Sequence, residues 1–271
     1  MKKTLVKIIS TILPNQVVKF AYTQLTNPQI KKLRPNELHV LEKAVKEKFS
    51  FKDFDIQLYK WPGGREKILL IHGWEGQAGN FGDLIEKLIA QNYSVFSFDG
   101  PSHGFSSKGR TSLFEFTELV GILIRKFGVS KLVSHSFGGV ATTYALSINP
   151  DLKIDKYVLL TTPDKFLERI EDVSEQIGIT EKVKNKLIQR LEKETSIDIK
   201  KLNVSEFVKR IHVGKALIIH DKNDSVLPIS RSKNVYQNWN VCEFIEIEGT
   251  GHFRILRTKS VIEKTVEFLN G

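Results

Sequence analysis

Cysteine and methionine are nearly absent from this sequence, with one of each in 271 residues, and long apolar runs are missing altogether. A single cysteine excludes an internal disulfide framework and is compatible with a reducing compartment. No stretch approaches the roughly 18 apolar residues of a membrane-spanning helix, so no transmembrane segment is predicted. Basic residues interleaved with aromatic ones are also lacking, which argues against a nucleic-acid partner. These absences favour a globular cytoplasmic protein.

Positive charge is in excess, because 41 lysines and arginines stand against 31 acidic residues and leave a net charge of +10. This balance is typical of a lysine-rich solvated surface, and it leaves open the steering of an anionic substrate or weak association with a membrane surface. The N-terminal stretch MKKTLVKIISTILPNQVVKF is basic and apolar, but Lys7 interrupts it and no small-residue cleavage site follows. We predict an amphipathic helix there, which packs on the protein or lies in a membrane interface. The oligomeric state stays open.

Strand-like and helix-like segments alternate along most of the chain. Residues 1–50 are predicted to be helical, and the core is predicted over residues 51–162 and 214–271. Within that core, apolar runs predict strands at residues 55–61, 67–71, 94–98, 131–134, 156–160, 216–220 and 242–247. Helical segments between them imply right-handed crossovers and a mostly parallel central sheet flanked by helices. The predicted fold class is therefore α/β.

Residues 163–213 interrupt this alternation. They are rich in lysine and glutamate, and they contain no strand-like run. Val183, Leu187 and Leu191 recur at helical spacing. We predict a helical insertion that covers one edge of the sheet.

The stretch SHSFGG, residues 134–139, joins a predicted strand to a predicted helix at the carboxyl end of the sheet. Such ends are where α/β proteins bind their ligands. A nucleophilic serine in this position must project from a sharp turn with little side-chain bulk around it. Ser134 and Gly138, two residues to either side of Ser136, meet that demand. The helix that follows directs its free N–H groups and its positive dipole end towards the site.

This junction resembles the nucleophile elbow of the α/β-hydrolase superfamily, in its G-H-S-x-G-G form, with Ser134 replacing the first glycine. The resemblance covers about residues 55–162 and 214–271, and it implies that Ser136 is a catalytic nucleophile. It also implies that the insertion at 163–213 is a small helical cap, or lid, over the active site. His103 and Asp99, in the stretch FDGPSHGFS, resemble a loop that shapes the pocket floor in this family.

A serine hydroxyl needs a base, and the base needs an orienting carboxylate, each at the end of a later strand. The strand ALIIH runs into DKNDSVLP, which resembles the acid loop of the family and selects Asp224. Asp221 is the alternative acid, but it matches a position without a catalytic role. The last strand ends in TGHFRIL, where His252 matches the family's histidine. Chain order from Ser136 through Asp224 to His252 is the order of this superfamily.

Two backbone N–H groups complete the predicted site. After the strand KILLI, the residues His72, Gly73 and Trp74 resemble the family's H-G-x motif. By resemblance, the N–H groups of Trp74 and Phe137 form the oxyanion hole. His135 matches a position with a supporting role, and His220 is expected to be structural.

The predicted function is that of a serine esterase, which cleaves a carboxylic ester of a small-molecule acyl substrate through an acyl-enzyme. A thioesterase and an aminopeptidase-like amide hydrolase are the alternatives, because the sequence does not identify the acyl substrate. A non-catalytic binding protein of the same fold is a third alternative. The serine nucleophile argues against a dehalogenase, which would use a carboxylate. No cofactor is expected, and no histidine and carboxylate cluster with metal-ligand spacing predicts a metal.

Overall fold

A computed structural model describes residues 2–29 and 32–271 of the chain. The strands are β1 Val45–Phe51, β2 Phe54–Trp61, β3 Lys67–Ile71, β4 Ser94–Asp99, β5 Lys131–His135, β6 Lys153–Leu160, β7 His212–Asp221 and β8 Cys242–Ile247. The α-helices are α1 Lys2–Ile12, α2 Pro14–Thr26, α3 Pro35–Glu42, α4 Gly82–Ala90, α5 Leu113–Phe127, α6 Phe137–Ile148, α7 Phe166–Ile177, α8 Glu181–Thr195, α9 Val204–Phe207, α10 Ile229–Gln237, α11 Gly251–Arg254 and α12 Lys259–Asn270.

The strands form one eight-stranded sheet in the order β1-β2-β4-β3-β5-β6-β7-β8. β2 pairs antiparallel with both β1 and β4, and every other pair is parallel. Residues 68–71 of β3 and all of β5 are buried, as expected for strands covered on both faces. Because parallel strands end at the same edge, β3, β5, β7 and β8 deliver the loops that follow them to one side of the sheet.

Helix α5 shows how local sequence sets an element's ends. Ser112 caps its first turn by accepting a hydrogen bond from the N–H of Phe114 at 3.2 Å. Gly128 ends the helix in a left-handed conformation, with φ of 59°. Helix α5 therefore has both termini specified by its flanking residues.

The described chain divides into two compact units. The core unit consists of Gln29–Asp164 and Val204–Gly271, and it contains the whole sheet. The helical unit consists of Met1–Pro28 and Lys165–Asn203, so that α1, α2, α7 and α8 pack together. Residues 1–50 and 163–213 are predicted from the sequence as two separate helical segments. Helices α3 and α9 and the start of β7 fall within those ranges, and they cluster with the core unit.

The interior of the helical unit is apolar. One cluster joins α2 to the insertion through Ala21, Tyr22, Ile170, Leu187 and Ile199. A second cluster consists of Val17, Val18 and Val183. The apolar periodicity of both segments is thus satisfied by their mutual packing.

One part of the predicted N-terminal helical segment is wrong. Residues 45–51 form β1, which pairs antiparallel with β2 at the edge of the sheet. Most of β1 is exposed, and only Phe51 is buried. Consecutive exposed charges at Lys46, Glu47 and Lys48 are typical of an edge strand that avoids pairing with other chains. The helix therefore ends at Glu42 rather than near residue 50.

Candidate active site

Ser136 lies between β5 and α6 in a backbone conformation that is rare for a residue with a side chain, with φ of 51° and ψ of −120°. A strained conformation of this kind persists only where the surrounding structure holds it in place. Here the turn is held by backbone segments that lie close to it. A Cβ atom on Gly138 would lie 2.5 Å from the carbonyl oxygen of His72, so only glycine fits there. The N–H of Ser136 donates to the carbonyl of Leu160 at 3.1 Å, which ties the turn to β6. The turn thus projects a half-buried serine side chain.

Ser134, the departure from the family motif, is fully buried with its Oγ 2.7 Å from the hydroxyl of Tyr157. The hydroxyl that replaces a hydrogen atom of glycine therefore has a polar partner, and burying it carries no unsatisfied group. Burial raises the pKa of Tyr157, so this hydroxyl stays protonated. Serine in place of the motif's first glycine is therefore accommodated by a hydrogen bond to the neighbouring strand β6.

Three predicted residues meet at the carboxyl edge of the sheet. The Oγ of Ser136 lies 3.1 Å from Nε2 of His252, and Nδ1 of His252 lies 2.8 Å from Oδ2 of Asp224. His252 and Asp224 are both buried. Because a carboxylate only accepts, Nδ1 carries the proton and Nε2 is free to accept the hydrogen of the serine hydroxyl. The arrangement can transfer a proton from Ser136 to His252.

The carboxylate of Asp224 is held in its charged form. Its Oδ1 accepts the N–H groups of Val226 at 2.8 Å and Leu227 at 2.9 Å. Nε2 of His220 lies 3.4 Å from its Oδ2. Burial opposes ionisation, but the hydrogen bonds from His220 and His252 hold the pKa of Asp224 well below its ordinary value. A charged acceptor next to Nδ1 stabilises a positive charge on the imidazole of His252.

Asp221 does not contact His252, and it holds the backbone that carries His252. Its Oδ2 accepts the N–H of Gly251 at 2.7 Å, the hydroxyl of Thr250 at 2.8 Å and the N–H of Thr250. Its Oδ1 accepts the N–H of Asn223 at 2.8 Å. Despite burial, these hydrogen bonds lower the pKa of Asp221. The carboxylate therefore clamps the end of β7 to the loop that follows β8, a role that no motif in the sequence indicates.

Two other buried histidines, His135 and His220, hold the backbone around the site by hydrogen bonds. His135 donates from Nε2 to the carbonyl oxygen of His252 at 2.9 Å, and burial lowers its pKa to about 3. His220 lies 2.6 Å from the hydroxyl of Ser232 and 3.1 Å from the carbonyl of Leu227. Both side chains are buried in the core unit. His220 lies near the end of β7, four residues before Asp224. This short spacing is the sequence signal that its ring could contact the Asp224 carboxylate.

The loop after β3 approaches the serine turn closely. A Cβ atom on Gly73 would lie 3.3 Å from Cβ of Ser136. The neighbouring rings of Trp74 and Phe137 lie 5.3 Å apart in a T-shaped arrangement. Phe137 is the first residue of α6, so its N–H is one of the groups that a helix leaves free of its own ladder. The two predicted oxyanion-hole residues are therefore side by side and next to Ser136.

His72 fixes the start of this loop. Its Nδ1 donates to the carbonyl of Gly73 at 2.7 Å, and its Nε2 accepts the N–H of Gly100 at 2.9 Å. An acceptor at Nε2 requires the neutral ring, and burial lowers the pKa of His72 well below its ordinary value. The imidazole thus ties the loop after β3 to the loop after β4.

Asp99 and His103, predicted to shape the pocket floor, are both fully buried. Asp99 accepts hydrogen bonds from the N–H groups of Ala78 and Phe105, each at 2.8 Å, and from the hydroxyl of Tyr59 at 3.0 Å. The ring of His103 lies 5.1 Å from that of Trp74. These residues support the loops that surround the site.

Across residues 2–29 and 32–271, no three histidine, cysteine, aspartate or glutamate side chains are grouped as metal ligands. The expectation that the protein needs neither a metal nor a cofactor stays a prediction.

A family model described as the alpha/beta hydrolase fold matches residues 67–189. This range includes the loop after β3 and the turn at Ser136, and it ends before Asp224 and His252.

Among curated proteins, a probable serine hydrolase of Drosophila melanogaster is 32% identical over 104 residues, which cover 35% of this chain and 31% of the relative. A pimeloyl-[acyl-carrier protein] methyl ester esterase of Xanthomonas campestris is 30% identical over 86 residues, which cover 32% of this chain and 33% of the relative. The chain thus matches about a third of the length of these relatives.

Among solved structures, a membrane phospholipase A described as a bacterial virulence factor superposes with a TM-score of 0.67 at 15% identity. The superposition covers 100% of this chain and 99% of that one. At this identity the likeness concerns the fold.

Proposed function

We propose that this chain, whose fold is that of the α/β hydrolases, is a serine hydrolase that cleaves carboxylic esters. The proposed nucleophile is Ser136, the general base is His252 and the orienting acid is Asp224. The proposed oxyanion hole consists of the N–H groups of Trp74 and Phe137.

One observation carries the proposal: the relay of short contacts from Ser136 Oγ to His252 Nε2 at 3.1 Å and from His252 Nδ1 to Asp224 Oδ2 at 2.8 Å. Each of the three residues lies at the carboxyl edge of the sheet, Ser136 in the turn after β5, Asp224 in the loop after β7 and His252 in the short helix α11 after β8. The strained conformation of Ser136 supports the same proposal, because strain of this kind concentrates at functional sites. A serine at an ordinary turn would need neither feature.

In the first half of the reaction, Ser136 Oγ forms a bond to the carbonyl carbon while its proton moves to Nε2 of His252. The π electrons of the carbonyl move onto its oxygen, which the N–H groups of Trp74 and Phe137 stabilise. Asp224 stabilises the imidazolium that results. The carbon–oxygen bond to the alcohol then breaks, and the alcohol leaves with the proton from Nε2.

In the second half, a water molecule gives a proton to Nε2 of His252 as its oxygen attacks the acyl carbon of the acyl-enzyme. The same N–H groups stabilise the second oxyanion. The bond to Ser136 Oγ breaks, Oγ takes the proton from Nε2, and the carboxylic acid leaves. All groups return to their starting protonation states.

The acyl substrate is proposed only by class. One curated relative is named for acting on a methyl ester of an acyl group carried by a protein. Simple p-nitrophenyl esters of increasing acyl length, with thioester and amide analogues, would rank the alternatives. The lid formed by residues 163–213 stays a prediction. Substitutions there are expected to shift the preferred acyl length and to leave labelling of Ser136 unchanged.

The decisive experiment compares the wild-type protein with Ser136→Ala and with a matched control. Ser147→Ala is the control, because Ser147 lies on α6 and its hydroxyl donates only to the carbonyl of Tyr144 in its own helix. We expect a fluorophosphonate probe to label the wild type and Ser147→Ala but not Ser136→Ala. Turnover of p-nitrophenyl acetate should fall by about 10⁴-fold or more in Ser136→Ala.

Folding of both variants is checked by circular dichroism. A folded Ser136→Ala protein that keeps its turnover would contradict the nucleophile assignment. A wild-type protein that neither labels nor hydrolyses any ester in the series would favour the non-catalytic alternative.

A further inference from the structure

Exposed apolar side chains are concentrated at the start of the helical unit. On α1, Leu5 is 59% exposed and Ile12 is 69% exposed. Leu13, which follows the helix, and Phe20 on α2 are also exposed. Four members of this group lie on α1 itself and are named here the N-terminal apolar surface: Leu5, Ile8, Ile9 and Ile12.

These four residues stand at positions i, i+3, i+4 and i+7, so they form one face of α1. Such a face normally packs on the protein, but in α1 the apolar face is exposed to solvent. Ser10, about 100° further around the helix from Ile9, is buried, and Val6 beside it is half-buried. A Cβ atom on Gly178 would lie 2.7 Å from the carbonyl of Lys3, so the turn after α7 packs tightly on the start of α1. The face of α1 that contains Val6 and Ser10 is therefore the one that packs on the rest of the helical unit.

The segment of sequence that bears this surface carries charge of a single sign. Residues 1–36 contain six lysines and one arginine, and the first acidic residue of the chain is Glu37. The other segment of the helical unit differs, because residues 165–203 carry nine basic and eight acidic side chains. The cationic character is thus specific to the segment that bears the N-terminal apolar surface.

An exposed apolar helix face on a segment of net positive charge matches the surface of an anionic bilayer. Apolar side chains enter the boundary between headgroups and acyl chains, and lysines neutralise lipid phosphates. Self-association through the same surface would bring two segments of like charge together, which opposes it. Helix α1 has 11 residues, about half of what a span requires, and no helix in the described part of the chain is long and apolar enough to cross a membrane. Helix α1 would therefore lie in the plane of the interface.

We propose that the N-terminal apolar surface, with the lysines around it, binds the surface of anionic phospholipid bilayers. The lipid is recognised by its anionic headgroup together with its accessible acyl region. This inference does not rest on the proposed hydrolase activity, because it concerns the helical unit and is measured by binding alone.

Co-sedimentation with vesicles of known composition tests the proposal on the full chain. Vesicles of phosphatidylcholine alone are compared with equimolar phosphatidylcholine and phosphatidylglycerol, at low and high salt. We expect binding to the mixed vesicles, weaker binding at high salt, and much less binding to phosphatidylcholine alone.

Two double variants separate the apolar and the charged contributions. Leu5→Gln with Ile12→Gln is expected to weaken the partition coefficient by about tenfold for each residue. Its control is Ile148→Gln with Val241→Gln, which replaces two exposed apolar residues of the core unit.

Lys3→Gln with Lys7→Gln is expected to weaken binding by about fivefold for each residue. Its control is Lys87→Gln with Lys264→Gln, two exposed lysines on α4 and α12.

The two controls should bind as the wild type does, and circular dichroism should show that all four variants are folded. Failure of the wild-type protein to bind mixed vesicles would overturn the proposal. So would equal losses in the N-terminal variants and their controls. A dimer in light scattering that Leu5→Gln with Ile12→Gln dissociates, without any vesicle binding, would assign the surface to a second copy instead.

Discussion

The core unit and the helical unit both have apolar interiors, and they differ in the buried carboxylates that the core unit has in addition. In the core unit, three buried aspartates each accept at least three hydrogen bonds and connect loops that are distant in sequence: Asp99, Asp221 and Asp224. In the helical unit, the buried clusters consist almost entirely of apolar side chains. Apolar contacts are non-directional, whereas a hydrogen bond to a carboxylate fixes both distance and angle. Directional contacts are found where chemistry requires fixed positions.

The comparison predicts that polar substitutions in the core unit change reaction rates, and that apolar truncation in the helical unit lowers stability while the rate on a short acyl substrate stays nearly unchanged. The largest effect is expected for Asp224→Asn. An amide cannot stabilise a positive charge on His252 and favours the wrong tautomer of the imidazole, so kcat should fall by about 10⁴-fold. Steady-state hydrolysis of p-nitrophenyl acetate measures this loss. Asn223→Ala, at an exposed neighbouring position, is the control, and an equal loss there would show that the loop rather than the carboxylate matters.

A smaller loss is expected for Asp221→Asn, because this residue acts through the position of His252. Replacing the carboxylate weakens the bonds to Thr250 and Gly251 and lets the histidine loop move, which should lower kcat by about 10–100-fold. Lys222→Gln, at an exposed position between the two aspartates, provides the control. A rate for Asp221→Asn equal to that of the wild type would refute the clamp.

The smallest effect is expected in the helical unit. Val183 is fully buried between α2 and the insertion, and Val183→Ala removes two methyl groups from that contact. Unfolding in urea should show a loss of about 1–2 kcal/mol, with turnover of p-nitrophenyl acetate within about twofold of the wild type. Lys182→Ala, on the exposed side of α8, should change neither quantity. A large loss of turnover in folded Val183→Ala would break the division between the two units.

Much of the core unit could be predicted because its central strands are buried on both faces and therefore read as apolar runs. Residues 67–71, of which 68–71 are buried, were predicted with the same bounds as β3. Residues 242–247 were predicted with the same bounds as the edge strand β8, because four of its six residues are apolar although none is buried. The edge strand β1 gave no such signal, since its lysines and glutamate face solvent and helix-spaced apolar residues precede it. The proportion of apolar residues, which is lower in β1, made the difference.

The candidate site shows the same division. Ser136, Asp224 and His252 could be selected because each follows a recognisable strand and resembles a family motif. The clamp at Asp221 could not be inferred, because it depends on three donors in residues 250–251 that only the fold brings to β7. The hydrogen-bond partner of Ser134 could not be inferred from the sequence either, since Tyr157 lies on a different strand. Local sequence identifies the reacting groups, and tertiary packing decides what holds them.

The helical unit is assembled from two segments of the chain that are separated by residues 29–164. At a synthesis rate of about 5–20 residues per second, the ribosome needs roughly 7–30 s to make the intervening part. During that interval the apolar side of α2, with Val17, Val18 and Ala21, lacks its partners in the insertion. The emerging chain would then carry a cationic, apolar N-terminal segment well before its fold can cover it. Chaperones that bind short stretches of this composition would have their longest opportunity at this stage of biosynthesis.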